Sequence, residues 1–368
     1  MKRTIYFLFS ILLLATFLYS CKVGRFVVYN FADINDYKKF PSRTIEKGET
    51  SFRFDTTSRG RVPKTLTVNA ETHPFESYLE DHKTVAFLII KEDTIQYENY
   101  WRKYQSSSIV PSFSMAKSIT SLLIGCAIDD GLIHTVNDPV THYLPELEGQ
   151  GFDEITLAHL LQMTSGIDFK ESYTNPFGDA ATFYYGTNLR KAAQKLKPKT
   201  APGTAFTYVS GNTQLLGLVL ERVLQEKTLS AYLEEKIWKP LGMEYDATWS
   251  LDRKKDGMEK TFCCINARAR DYAKIGRLYL NQGNWNGKQI VSADWVSQST
   301  KIDTTQGSAR FYQYQWWLPS PNGDFMAQGI LGQYLYVHPE KNLIIVRLGK
   351  NEGGADWWSI LTGLGEAY

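Results

Sequence analysis

Strand-forming runs lie toward both ends of this 368-residue chain, with helical periodicity between them. That order constrains the fold more than any other feature of the sequence. Residues 84–90 are almost continuously apolar, a turn follows at Lys91-Glu92-Asp93, and residues 94–100 alternate apolar and polar side chains. This is the pattern of an antiparallel hairpin whose second strand is half-buried. Strand character returns at 312–318, 333–338 and 343–348, the last two joined by a turn at 339–342. From Phe113 to about Tyr279 the spacing is helical. It runs through 157–163, 213–224 with Leu216, Leu220 and Leu224 four apart, and 270–280. Residues 357–364 read as a closing helix. Strands at both ends with helices between predict an α+β fold in which a helical subdomain, about 130–260, interrupts a main domain of 71–368.

Composition narrows the function classes. The formal net charge of +2 excludes a large electrostatic footprint for nucleic acid. Aromatic residues make up 14% of the chain, which fits a bulky core or an amphipathic ligand cleft. Lys2 and Arg3 precede an apolar run, 5–18, shorter than the ~20 residues of a membrane-spanning helix. The run closes on Leu18-Tyr19-Ser20-Cys21, which resembles a bacterial lipobox and predicts lipidation at Cys21. Several acyl chains at ~0.8 kcal/mol per buried CH2 would hold such a chain on a membrane. The expected location is therefore the cell envelope, after export. A plain cleaved signal, or a signal anchor, is the alternative. Residues 22–70, polar and broken by Gly and Pro, read as an arm lying on the main domain. Cys126 falls on an apolar helical face, and adjacent Cys263 and Cys264 lack C-x-x-C spacing. The fold is thus expected to rely on its core and not on a disulfide framework. The six His show no H-x-x-x-H pairing, so no metal is implied.

One segment carries chemistry. In FSMAKSITSLL (113–123), Ser114 and Lys117 stand three apart, one turn of a helix expected to start near Ser114 and stop at Asp130-Gly131. A serine at a helix N-terminus meets the positive end of the dipole and backbone N–H groups able to stabilise an oxyanion. The same pair also fits an ordinary N-cap followed by a solvated lysine. S-x-x-K should occur roughly once by chance in a chain of this size, so the motif alone does not decide. The second clue is the segment 202–212, PGTAFTYVSGN, a Pro-Gly turn leading into a helix opened by Ser210 or Asn212. It places Tyr208 at a helix mouth. A phenol and an ammonium, each titrating near ~10 when free, would shift one another toward the pH where general bases work.

With these segments in view the chain resembles the serine β-lactamase and penicillin-recognising superfamily, in particular the branch of class C β-lactamases, related esterases and 6-aminohexanoate-dimer hydrolases. Five passages carry the resemblance in order, across roughly residues 75–350. They are FSMAKS at Ser114, LLQMTSG at 160–166 with Met163 in place of the usual His, the Pro202 to Asn212 segment, PLGM at 240–243, and RDYAKIG at 270–276. The resemblance implies an antiparallel sheet flanked by helices, with the active site between sheet and helical subdomain. It also implies Ser114 as nucleophile, with Lys117 and Tyr208 as general base and no cofactor. The family's cationic strand motif is missing. Its nearest counterpart is Gly329-Ile330-Leu331-Gly332-Gln333, which keeps glycines but no preceding Lys or His. The alignment implies oxyanion donors at Ser114 and Gln333, with Gly332 and Asn212 nearby. Of the tract 172–185, Tyr173, Phe177, Tyr184 and Tyr185 are expected at the cleft wall or simply packed in a loop. The expected partner is a small amide, ester or peptide substrate. A D,D-peptidase or β-lactamase, and an inactive envelope binding protein, are the competing readings.

Overall fold

The structure, a computed structural model, describes residues 22–368. The apolar run 5–18, read above as an export signal, and Cys21 lie outside the described residues. An eight-stranded sheet runs in the order Tyr312–Gln313, Trp316–Trp317, Phe325–Gly329, Gln333–His338, Leu343–Gly349, Thr84–Lys91, Thr94–Tyr100, Asp55–Thr56. Every pairing is antiparallel except the last. The two ends of the chain meet at its centre, where Ile345 pairs with Ile89.

Both faces of these central strands are covered, which explains why they are apolar runs and not alternating ones. Leu88, Ile90, Ile344 and Val346 face the core shared with the helices Met115–Asp129 and Ala269–Leu280. Phe87, Ile89 and Ile345 pack on the other face with Phe75 and Leu79 from the helix Phe75–Asp81 and Trp357 and Leu361 from Trp357–Ala367. The hairpin turn contracts to Glu92 and Asp93, both left-handed (φ 50° and 59°), the twist a two-residue hairpin loop needs.

Two strand expectations change. The run 312–318 is not one strand. Tyr314 and Gln315 adopt positive φ (38° and 71°) and fold it into two short strands that pair with each other. Phe325–Gly329, a stretch the sequence reading passed over although Asn322-Gly323 marks a turn just before it, is a strand paired with Gln333–His338. A smaller sheet joins the arm strand Ser42–Ile45 to Ala247–Ser250, Ile265–Ala267 and Val110–Pro111. Cys126 is buried, and Cys263 and Cys264 are bonded to each other, a closure that ties no distant elements together.

Candidate active site

Ser114 immediately precedes the helix Met115–Asp129, and its side chain makes no capping bond. The ordinary N-cap role is thereby removed. The approach to it is fixed by Ser112, whose N–H donates to Ile265 O (2.7 Å) and whose Oγ accepts from Ile265 N–H (3.1 Å). Phe113 between them is held at φ 43°, a conformation costing a non-glycine residue roughly 1–3 kcal/mol and concentrated at functional sites. Ile119, Leu122 and Leu123 anchor the helix in the core.

Lys117 is not solvated: it is 1% exposed. Its Nζ lies 3.0 Å from Ser114 Oγ and 3.0 Å from Phe262 O. Burial disfavours the ammonium and brings its pKa down to about 8, against the opposing pull of the Glu171 carboxylate. A lysine so placed is substantially neutral in mildly alkaline water and can accept the serine proton.

Tyr208 precedes the helix Ser210–Leu224, and its ring lies 4.9 Å from Lys117 Nζ. The ring stacks on Trp317 and meets Tyr312 edge-on. The sequence reading had lysine and phenol shifting each other toward neutrality. Only the lysine moves that way. Burial, reinforced by Glu171, raises the Tyr208 pKa, with Ser114 opposing by hydrogen bonding, so the phenol stays protonated. It can relay a proton or donate a hydrogen bond, and the lysine is the group poised to take one.

Polar ties hold the two helices in register. Ser118 Oγ donates to Gln315 O, Thr213 Oγ1 donates to Gln315 Oε1, and Gln315 Nε2 donates to Leu160 O and Leu161 O. Thr120 Oγ1 donates to Thr261 O, and Thr261 Oγ1 to Thr213 O. Met163, at the position where His is usual, supports the Tyr208 segment from below: its Sδ accepts from Val209 N–H and Asn212 Nδ2.

The cleft beside Ser114 is walled by aromatic side chains and one carboxylate. Of the tract 172–185, for which a cleft wall and a packed loop were both open, Tyr173, Tyr184 and Tyr185 line the cleft, whereas Phe177 does not and is 73% exposed. Three other expected contacts move out of it. Asn212 is wholly buried behind the Tyr208 turn, accepting from Ser165 Oγ at 2.7 Å. Gly332 sits at φ 78° in a turn where a Cβ would strike Arg347, whose Nη1 donates to Gly332 O. Gln333 heads the next strand with its side chain buried, donating to Leu331 O (3.0 Å) and Gly349 O (2.8 Å). It braces the turn and does not line the pocket. Gly329 and Ile330 are the residues against Ser114: a Cβ on Gly329 would stand 3.1 Å from Ser114 N, and Ile330 lines the cleft. The backbone crosses Ser114 before the turn, a shift of three residues that spacing alone cannot place.

Sequence reasoning also missed Glu171, Ser210 and Ala32, all at the cleft. Glu171 accepts from Ser210 N–H (2.8 Å), Ser210 Oγ (2.6 Å) and Tyr173 OH (2.7 Å). Ser210 lay in the recognised Tyr208 segment, and Glu171 adjoined the aromatic tract; nothing in the sequence marked Ala32. Among the described residues no group of three or more His, Cys, Asp or Glu is placed to hold a metal ion.

The Beta-lactamase family model matches residues 75–356. A 6-aminohexanoate-dimer hydrolase of Paenarthrobacter ureafaciens is 30% identical over 294 residues, 74% of each chain. Among solved structures, a Bacillus anthracis protein assigned as a 6-aminohexanoate-dimer hydrolase superposes with a TM-score of 0.80 at 24% identity, covering 93% of both chains. A family VIII carboxylesterase gives 0.60 at 21% identity, covering 75% of this chain and 89% of that one. The chain therefore belongs to the Beta-lactamase family of serine hydrolases.

Proposed function

We propose that this protein cleaves an amide or ester bond through an acyl-enzyme on Ser114. The observation that carries the reading is the buried Lys117 amine 3.0 Å from Ser114 Oγ with its pKa lowered to about 8. Ser114 Oγ attacks the carbonyl carbon while Lys117 takes its proton. The leaving nitrogen or oxygen takes a proton from the Tyr208 phenol as Lys117 passes its new proton to Tyr208, so both groups end neutral. Water, giving its proton to the same pair, then attacks the acyl carbon, and Ser114 Oγ leaves with that proton as the acid is released. The backbone N–H groups of Ser114 and Ile330 receive the oxyanion. No step calls on a cofactor.

The cleft favours an esterase or amidase over a penicillin-recognising enzyme. Its lining contains the Glu171 carboxylate and no lysine, arginine or histidine. A substrate carboxylate therefore lacks a partner there, whereas a neutral or amine-bearing acyl chain suits the aromatic walls. The names of the relatives, a 6-aminohexanoate-dimer hydrolase and a carboxylesterase, point the same way. The intact Ser114, Lys117 and Tyr208 set disfavours a binding-only role. We further propose that Cys21 is lipidated and holds the enzyme in the cell envelope.

The test is a fluorophosphonate adduct mapped by mass spectrometry, followed by turnover of p-nitrophenyl esters, short amides and a chromogenic cephalosporin. The expected result is an adduct on Ser114 and turnover of esters or amides exceeding that of the cephalosporin. An adduct that survives Ser114→Ala sinks the nucleophile assignment; faster cephalosporin hydrolysis sinks the substrate class.

A further inference from the structure

The wall of the cleft opposite Lys117 is partly built by the first residues after Cys21. The helix Lys22–Tyr29 packs inward through Phe26, whose ring meets Tyr185 at 5.1 Å, and Tyr29, which meets Phe40 at 5.8 Å. Tyr185 OH donates to Asn30 O (2.6 Å) and Tyr184 OH to Asp36 Oδ2 (2.8 Å), so two cleft-lining tyrosines are tied to this arm. Ala32 itself lines the cleft. The outward side is apolar: Val27 is 66% exposed, Phe31 53% and Val28 39%. Tyr173, which also lines the cleft, is 44% exposed.

Single exposed apolar residues are common and mean little. Here three fall within five residues, on a segment that starts one residue after the proposed anchor. At ~1.5 Å rise per residue, Val27 stands about 8 Å along the helix from Lys22, and Phe31 follows just past the helix end, so a lipid chain on the preceding residue would keep the arm near the bilayer surface. We propose that this helix lies in the headgroup boundary of a bilayer through Val27, Val28 and Phe31, and that the Ser114 cleft opens beside that surface to accept amphiphilic acyl esters or amides. The inference rests on lipidation of Cys21 and goes beyond it, since an anchor on a free tether would leave the cleft oriented at random.

The experiment uses the full chain, purified with its anchor and reconstituted in phosphatidylethanolamine–phosphatidylglycerol vesicles. Val27→Cys, Phe31→Cys and, as a control, Asn322→Cys are each labelled with an environment-sensitive fluorophore. Cys126 is buried and Cys263 and Cys264 are joined, so the introduced thiol takes the label. Brominated lipid should quench positions 27 and 31 and spare 322. Unquenched labels on protein whose Cys21 acylation is verified by mass spectrometry overturn the surface role alone. Absent acylation overturns it by removing the tether, and identifies the anchor assignment as the fault. Val27→Asp with Val28→Asp gives the functional readout: an expected loss of about fivefold or more on a vesicle-embedded long-chain ester, with soluble p-nitrophenyl acetate turnover unchanged. Equal loss on both substrates would place the effect in the cleft itself and overturn the proposal.

Discussion

The two walls of the cleft are built differently. The wall bearing Ser114, Lys117 and Tyr208 consists of two helix starts embedded in the main core and crosslinked by Gln315, Thr213 and Thr261. The facing wall consists of Tyr173, Tyr184, Tyr185 and the arm, held by tyrosine hydroxyls to Asn30 and Asp36 and by ring contacts in a small cluster of its own. Glu171 bridges them, bonded to Ser210 at the mouth of one helix and to Tyr173 on the other side. A rigid wall can hold reacting groups at fixed separation, while a wall assembled from surface segments can change substrate preference without disturbing the chemistry.

The strongest way to break this contrast is Lys117→Met. It should lower kcat/KM by about 10²–10⁴ while the melting temperature does not fall, because the fold disfavours the ammonium it removes. The sign of the linkage is testable. Below pH 8 both folded and unfolded chains carry the lysine proton and the burial cost is complete. Above about 8 the folded chain releases it first, so wild-type stability gains with rising pH toward the free-lysine range, and the variant loses that gain. Differential scanning calorimetry across pH 7–10 checks it.

A smaller effect is expected from Glu171→Gln. The wild-type enzyme should gain activity as pH rises through about 8, where Lys117 loses its proton. Removing the neighbouring negative charge destabilises the ammonium, so the acid limb of the kcat/KM profile should move to lower pH. An unmoved limb would mean that Glu171 only braces Ser210. The smallest effect belongs to Tyr184→Phe, which removes the bond to Asp36 and should cost about 0.5–1.5 kcal/mol by urea unfolding. Soluble-ester turnover should change little if the facing wall acts on substrate fit alone.

Much of the embedded wall was legible in the sequence. The Ser114 helix was expected from near Ser114 to a stop at Asp130-Gly131, and it spans Met115–Asp129. The hairpin of Thr84–Lys91 and Thr94–Tyr100 was equally plain. These features rest on local periodicity, which a chain segment carries with it wherever it packs. The strand segment expected beside Ser114 was misplaced for the converse reason. Gly332 and Gln333 looked like the residues nearest Ser114, but which backbone crosses Ser114 depends on how Phe325–Gly329 packs against the Ser114 helix, a contact across more than two hundred residues of chain.

The sequence by itself determined the α+β order, the Ser114–Lys117 spacing and the turn that presents Tyr208. Only the tertiary structure decided how these groups titrate and what faces them. Burial drives the lysine pKa down and the tyrosine pKa up because both lose water, and desolvation always penalises whichever form is charged. The arm reaches the cleft through Asn30, Ala32 and Asp36, contacts made across more than a hundred residues of chain, and no periodicity encodes a meeting at that distance.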